Sequence, residues 1–237
     1  SGGRTQSNYN GQGAVSLDGV IVAAYTSSVA SDKEQLTQTI EQTQSNTGQK
    51  PEAILADSGY ASYQNYEWLQ QQQINAYMPD QLVRQQRQRS QDLYDRSHFT
   101  YDQATDSYAC PQHHPLVFTH IYQHKSKKQK SKVYTGLRCH ACAVRSSCTT
   151  SQYRTIHQEF REPLRQQARD RLSSEEGKKI YQQRMYTVEP RWANIKFNRQ
   201  FKMFQLRGLK KVDAEFKWMC LAENILTLHR KKSQQPN

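Results

Sequence analysis

Short apolar runs alternate with polar stretches along the first third of the chain. Residues 8–16 (NYNGQGAVS) and 20–26 (VIVAAYT) predict two strands, and Asp18-Gly19 between them predicts a tight hairpin turn. Ser31 or Asp32 is placed to cap a helix running to about Gln44, with Glu34 three residues after Ser31 as a capping box. Residues 52–56 (EAILA) predict a short buried strand that ends at Asp57-Ser58-Gly59-Tyr60. Ser62 opens a helix to about Gln72 with Tyr66 and Leu69 on one face, and residues 74–79 (INAYMP) predict another strand. The order strand, strand, helix, strand, helix, strand predicts an α/β fold, a mixed sheet covered by helices. Functional sites of such sheets gather at strand ends.

The pattern then changes. Residues 80–100 are rich in Gln and Arg and read as a linker or exposed helix. Residues 101–150 hold four of the five cysteines, many histidines and few long apolar runs, which predicts a small inserted module. Residues 158–184 look helical. A last helical region runs from Thr187 to about His229, with a break at Arg207-Gly208. Phe197, Phe201, Phe204, Leu206, Leu209, Trp218, Leu221, Ile225 and Leu228 are expected to pack in its core, leaving Arg199, Lys202, Arg207, Lys210 and Lys211 facing outward. The expected organisation is an N-terminal part of the main domain at 1–100, a cysteine-rich insertion at 101–157 and a helical C-terminal part at 158–237.

Charge adds a partner class. Lys and Arg total 33 against 21 acids, a formal charge of +12, which favours a polyanion such as nucleic acid over a charge serving solubility alone. Lys125, Lys127, Lys128, Lys130, Lys132 and Arg138 stand with no acid among them. Fourteen basic and four acidic residues lie between Lys178 and Lys232. Such patches neutralise phosphates without reading sequence. No apolar run approaches the roughly 20 residues of a membrane helix, and Ser1-Gly2-Gly3-Arg4 holds no apolar signal region.

Three groups carry candidate chemistry. Asp57 stands where a strand gives way to a loop, suited to metal binding, though an Asp at such a place is more often a turn or helix cap. Glu189 follows Thr187, a candidate cap, and precedes Pro190, which fits a first helical turn. Lys196 lies two turns further along the same stripe, so the pair suits a metal and a DNA phosphate together, the alternative being a solvated helix face. Cys110, Cys139, Cys142 and Cys148 form C-x28-C-x2-C-x5-C. That spacing points to a structural Zn²⁺ site, with His113, His114 and His140 as substitute ligands and reduced free thiols as the alternative. An odd cysteine count without a secretory signal argues against a disulfide framework, and Cys220 reads as a free thiol.

The stretches NYNGQGAVSLDGVIVAAYTSSVASDKEQL, ILADSGYASYQNYEWLQQQQINAYMP and YQQRMYTVEPRWANIKFNRQFKMFQLRGLKKVDAEFKWMCLAENILTL together resemble the DDE transposases of bacterial insertion sequences, in the group with a Tyr-Arg-Glu-Lys signature. The pattern YACP…CHACAVRSSC is similar to an insertion in one branch of that group. The resemblance spans roughly residues 8–229 and implies a ribonuclease-H-like fold in which three acids bind two Mg²⁺ or Mn²⁺ ions. It makes Asp57 the second acid and Glu189 the third, and matches Tyr181, Arg184 and Lys196 to the rest of the signature. Arg184 and Glu189 are one residue further apart than the family's usual spacing. The first acid is expected on a strand before the Asn8–Ser16 strand, upstream of this chain, with Asp18 as the runner-up. A chain with two acids is expected to hold metal poorly. The resemblance also implies transposon-end and target double-stranded DNA as partners, a homodimer or higher assembly, and a cytoplasmic, nucleoid-associated protein. The rivals are a non-enzymatic DNA-binding relative, a metal-dependent nuclease and a zinc-dependent interaction module.

Overall fold

The structure is a computed structural model that describes residues 9–80, 94–123 and 130–233. Lys125, Lys127 and Lys128, and most of the expected 80–100 linker, lie outside the described residues. In chain order the elements are β1 (Asn10–Val15), β2 (Ile21–Ser27), α1 (Leu36–Thr47), β3 (Ala53–Leu55), α2 (Tyr63–Gln71), β4 (Asn75–Tyr77), β5 (Thr100–Asp102), β6 (Ser107–Ala109), β7 (Pro115–Gln123), β8 (Lys130–Thr135), α3 (Arg145–Cys148), β9 (Thr155–Glu159), α4 (Glu162–Ser173), α5 (Glu175–Gln182), α6 (Arg184–Ala193) and α7 (Leu209–Ser233). The fold is mixed α/β. Two compact units divide it, one formed by Ser1–Pro79 with Gln167–Asn237 and the other by Asp80–Gln166. No helix among the described residues is long and apolar enough to cross a membrane.

In the first unit β1 and β2 pair antiparallel through the expected turn, where Gly19 has φ 85°. β3 and β4 pair parallel, joined by α2. The single mixed sheet expected from the pattern is instead two two-stranded ladders, with no hydrogen-bonded strand between them among the described residues. The β3 run is half-buried rather than buried. Ser62 caps α2 by accepting from the Asn65 amide at 3.1 Å, and Tyr66 and Leu69 are buried as expected. The expected Ser31 capping box does not form: a 3₁₀ turn at Asp32–Glu34 precedes α1, and Ser31 makes no side-chain cap bond.

α7 covers β2. Its buried positions are Val212, Phe216, Cys220, Glu223 and Thr227, a helical stripe that meets Ile21 and Ile195. This overturns the expected core list. Trp218 is 70% exposed, and Leu221, Ile225 and Leu228 are exposed with it on the opposite face; Phe197, Leu206 and Leu209 are exposed too. The helix is apolar on two sides and only one side meets β2. Phe201 and Phe204 do pack against the core, partly buried. Polar side chains of α7 also bond the backbone of β2. Asn224 Oδ1 accepts from the Ile21 amide at 2.7 Å, Asn224 Nδ2 donates to the Ile21 carbonyl at 2.8 Å, and Asp213 accepts from the Thr26 amide at 2.8 Å.

Glu223 is the most enclosed charge of this unit, with 1% of its side chain exposed. Burying a carboxylate is costly unless it is paired and hydrogen-bonded. Arg191 at 3.5 Å, Arg199 at 3.3 Å and the Asn194 amide nitrogen supply that pairing. Arg199 is therefore not an outward DNA contact. Its charge is committed to the interior, a role that helical periodicity does not reveal.

The second unit is an antiparallel five-stranded sheet in the order β5-β6-β7-β8-β9. The cysteine-bearing segment has few long apolar runs. It nonetheless has a core of Phe99, Tyr108, Leu116, Tyr134 and Ile156. Residues 155–159, partly expected to be helical, complete its edge as β9, where Ile156 packs opposite Tyr134. Asp106, at φ 45° in the β5–β6 turn, accepts from Tyr134 Oη at 2.6 Å, Tyr101 Oη at 2.7 Å and Lys132 Nζ at 3.0 Å.

Two predictions follow from these contacts. Glu223→Ala leaves two inward-facing guanidinium groups without their carboxylate and is expected to lower the unfolding free energy by roughly 3–5 kcal/mol, read by urea denaturation. The Tyr134, Tyr101 and Lys132 donors hold the Asp106 carboxyl down at about 2. A carboxyl with a lowered folded value adds stability above its unfolded value and loses it as pH falls through the folded one. The extra stability of the wild type over Asp106→Asn is thus expected to be full above about pH 4 and gone by about pH 2. Asn tolerates the left-handed turn, so acid-unfolding curves of the two proteins isolate the carboxylate.

Candidate functional site

The site is built on the loop after β3 and on two consecutive helices. After Leu55 the chain holds its extended path for one more residue, with the Ala56 amide donating to the Tyr77 carbonyl at 3.2 Å. Asp57 then caps a 3₁₀ turn at Ser58–Tyr60, its Oδ1 accepting from the Gly59 amide at 2.7 Å. The bland expectation for Asp57, a turn cap, is thus met by one oxygen. Its other oxygen is turned elsewhere.

Ser174 caps α5 by accepting from the Gly177 amide at 2.9 Å, and α5 ends one residue after Tyr181. Only Gln183 separates α5 from α6, and it is itself helical at φ −56°, ψ −26°. The helical path therefore continues, and the expected start at Thr187 is corrected. α6 begins at Arg184, Thr187 has no terminus to cap and donates back to the Gln183 carbonyl at 2.9 Å, and Pro190 sits inside the helix.

Arg184 gathers the site. Its Nη2 lies 3.1 Å from Glu189 Oε1 and 3.9 Å from Asp57 Oδ2, and its Nη1 donates to Tyr181 Oη at 3.1 Å. Arg184 is mostly enclosed at 19% side-chain exposure, whereas Asp57 (49%) and Glu189 (56%) present their carboxylates to solvent. The extra residue between Arg184 and Glu189 does not prevent their pairing. Two carboxylates from distant parts of the sequence thus face one guanidinium at an open surface. Such a place accepts a cation between hard oxygen donors.

Lys196 stands apart from this cluster. It lies in a π-helical turn at Asn194–Asn198, exposed, with its Nζ 5.9 Å from the centre of the Phe197 ring. The two-turn argument from Glu189 assumes regular α geometry, and a π turn breaks that register. Asp18 is bonded to Ser16 Oγ and to Lys231 Nζ, the latter at 2.7 Å, and these contacts hold its carboxyl below the usual range. Lys202, Arg207, Lys210 and Lys211 are exposed, as is Lys130, while Lys132 is tied to Asp106.

A second set of residues around Asp57 went unread in the sequence. Asp32 Oδ1 accepts from Asn10 Nδ2 at 2.7 Å and from Gln12 Nε2 at 2.8 Å. Tyr60 Oη donates to Gln12 Oε1, and Asn65 Nδ2 donates to the Tyr60 carbonyl at 2.7 Å. Gln12 and Asn65 are buried. A Cβ on Gly59 would lie 2.8 Å from Asp57 Oδ1 and 3.0 Å from Asp32 Oδ2, so a side chain there would have to displace these carboxylates. Burial, and then the charges of Asp32 and Asp57, push the Tyr60 phenol well above its ordinary range. The available signal was Asn10-x-Gln12, two amides on one face of a strand.

In the second unit Cys110, Cys139, Cys142 and Cys148 line one cavity with His114 and Arg154. Burial pushes the Cys148 thiol up, opposed by Arg154 and reinforced by Cys139, Cys110 and Cys142. The His114 amide donates to Cys110 Sγ at 3.3 Å, and His140 Nδ1 is 3.0 Å from the Leu137 carbonyl. Among the described residues no three His, Cys, Asp or Glu side chains are assembled closely enough to hold a metal, here or around Asp57. Cys220 is buried against α7's neighbours, and its thiol is pushed up to about 12 by that burial.

Comparison with known proteins adds one finding. A family model described as a transposase DDE domain matches residues 109–229. The matched span holds the four clustered cysteines together with Tyr181, Arg184, Glu189 and Lys196, and it leaves Asp57 outside. No curated protein and no solved structure matches the chain. Because that match covers half of the chain, including the helices that carry the Arg184–Glu189 pair, this protein belongs to the DDE transposase family.

Proposed function

We propose that the chain is the catalytic part of a transposase that cuts and joins DNA at transposon ends, on a ribonuclease-H-like framework with a cysteine-rich insertion at about 101–157. The observation that carries this reading is the convergence of Asp57, Glu189 and Tyr181 on Arg184. Two open carboxylates bridged by a cation suit a hard, oxygen-binding divalent ion such as Mg²⁺ or Mn²⁺. Asp57 and Glu189 would hold it, with a third acid on a strand added beside β1, which pairs only with β2 among the described residues. Bound there, such ions supply activation of the attacking oxygen and stabilisation of the leaving one.

The chain's own groups then have defined tasks. Arg184 would then be available to bind two non-bridging phosphate oxygens through its guanidinium fork. Tyr181 holds the guanidinium plane through its hydroxyl. Lys196 and the exposed Lys202, Arg207, Lys210 and Lys211 supply backbone contacts, and Lys125, Lys127, Lys128, Lys130 and Lys132 are further phosphate-binding candidates from the sequence. The enzyme acts as a homodimer or higher assembly on double-stranded DNA.

Zn²⁺ in the insertion is the second part of the reading. Four soft thiol donors lining one cavity fit that ion, provided the sulfurs converge from their present places. Its role is structural, because four thiolates leave no open position.

Two experiments test this reading. Labelled DNA carrying the element's ends, incubated with Mg²⁺ or Mn²⁺ and a form of the protein that includes the first acid, is expected to yield cut and joined products, and Asp57→Asn or Glu189→Gln to lower the rate by roughly 1000-fold or more. Salt-sensitive binding with no cutting, indifferent to both substitutions, favours a DNA-binding relative; cutting without joining favours a nuclease. Zinc content measured on purified protein is expected to be stoichiometric and to drop in Cys139→Ser, with a lower melting temperature. Wild type that neither carries nor takes up zinc contradicts the metal-stapled insertion.

A further inference from the structure

We propose that Asp32 is a positioning residue for Asp57, holding a second negative charge against the loop that presents it. The inference rests on the reading of Asp57 as a metal-binding carboxylate. Asp32 was expected only as a helix cap, yet its side chain makes no cap bond and turns back onto β1. Asn10 and Gln12 both donate to Oδ1, and Gln12 is itself locked by burial and by Tyr60 Oη. The carboxylate is therefore fixed by two hydrogen bonds that do not involve Oδ2.

Oδ2 faces Gly59, on the side where Asp57 Oδ1 lies, and both oxygens come within 3.0 Å of the point a Gly59 Cβ would occupy. Two consequences follow for Asp57. The Gly59 amide holds its Oδ1 on the side that Asp32 also faces. Asp57 Oδ2 is left facing Arg184 and Glu189. The Asp32 charge also deepens the negative potential there, which strengthens attraction for a cation. An outer carboxylate acting through a liganding one typically matters tenfold to a hundredfold in metal affinity.

The substitution Asp32→Asn separates charge from scaffolding. It keeps an oxygen for Asn10 and Gln12 and removes the charge from the other position. Mn²⁺ binding to the full chain, followed by water-proton relaxation, is expected to weaken roughly tenfold or more in Asp32→Asn, with far-UV circular dichroism and melting temperature unchanged. Asp57→Asn is expected to lose the site. Unchanged Mn²⁺ affinity in Asp32→Asn, beside loss in Asp57→Asn, overturns the proposal and leaves the metal reading standing. Wild type that binds no Mn²⁺ overturns the metal reading, and hydrogen exchange of the Gly59 amide then decides the positioning role. Faster exchange in Asp32→Ala supports it, and equal exchange overturns it.

Discussion

A carboxylate that cannot reach water organises the first unit. Glu223 sits on the inner face of α7, and the interior tolerates its charge only because Arg191, Asn194 and Arg199 converge on it. Arg191 lies near the end of α6, Asn194 opens the π turn that follows and Arg199 comes directly after that turn. Neutralising Glu223 therefore fixes the C-terminal end of α6 against α7, while Asn224 and Asp213 fix α7 against β2. α6 carries Arg184 and Glu189. The open, solvent-facing acid is held in place by a closed, buried one a few turns away.

The site itself is a balance of like and unlike charge. Asp57 and Glu189 repel each other and are kept together by the guanidinium of Arg184. At about half exposure each acid loses little solvation, so the arrangement is inexpensive to hold and easy to rearrange. That suits a cleft where a positive group must be exchanged for an incoming cation and a phosphate. The Asn10–Gln12–Asp32–Tyr60 network braces the loop side of the site, and the helices supply its guanidinium.

Much of this was legible in the residues. Apolar runs placed β1, β2, α2 and β4 within a residue or two, because each is flanked by a turn or cap with its own chemistry: Asp18-Gly19, Ser62, and the chain entering β4. Asp57 and Glu189 were singled out through the resemblance, and both face Arg184. The errors share one cause. Periodicity reports which positions share a face but not which face meets a neighbour, so Trp218, Leu221, Ile225 and Leu228 were expected in the core and are exposed. Arg199 was expected outside because nothing local marks Glu223 as buried. Thr187 was expected to start a helix because α5 and α6 read as separate segments, whereas Gln183 keeps the helical path between them. Asp32 was hidden because its partners on β1 are distant in sequence.

The central claim is that Asp57 and Glu189 form one cation site. A double-mutant cycle on Mn²⁺ affinity addresses it most directly, using wild type, Asp57→Asn, Glu189→Gln and the double variant. A shared site predicts strong coupling: either substitution alone removes most of the affinity, and the second costs little more. Losses that simply add, each residue acting as though the other were absent, would contradict the account.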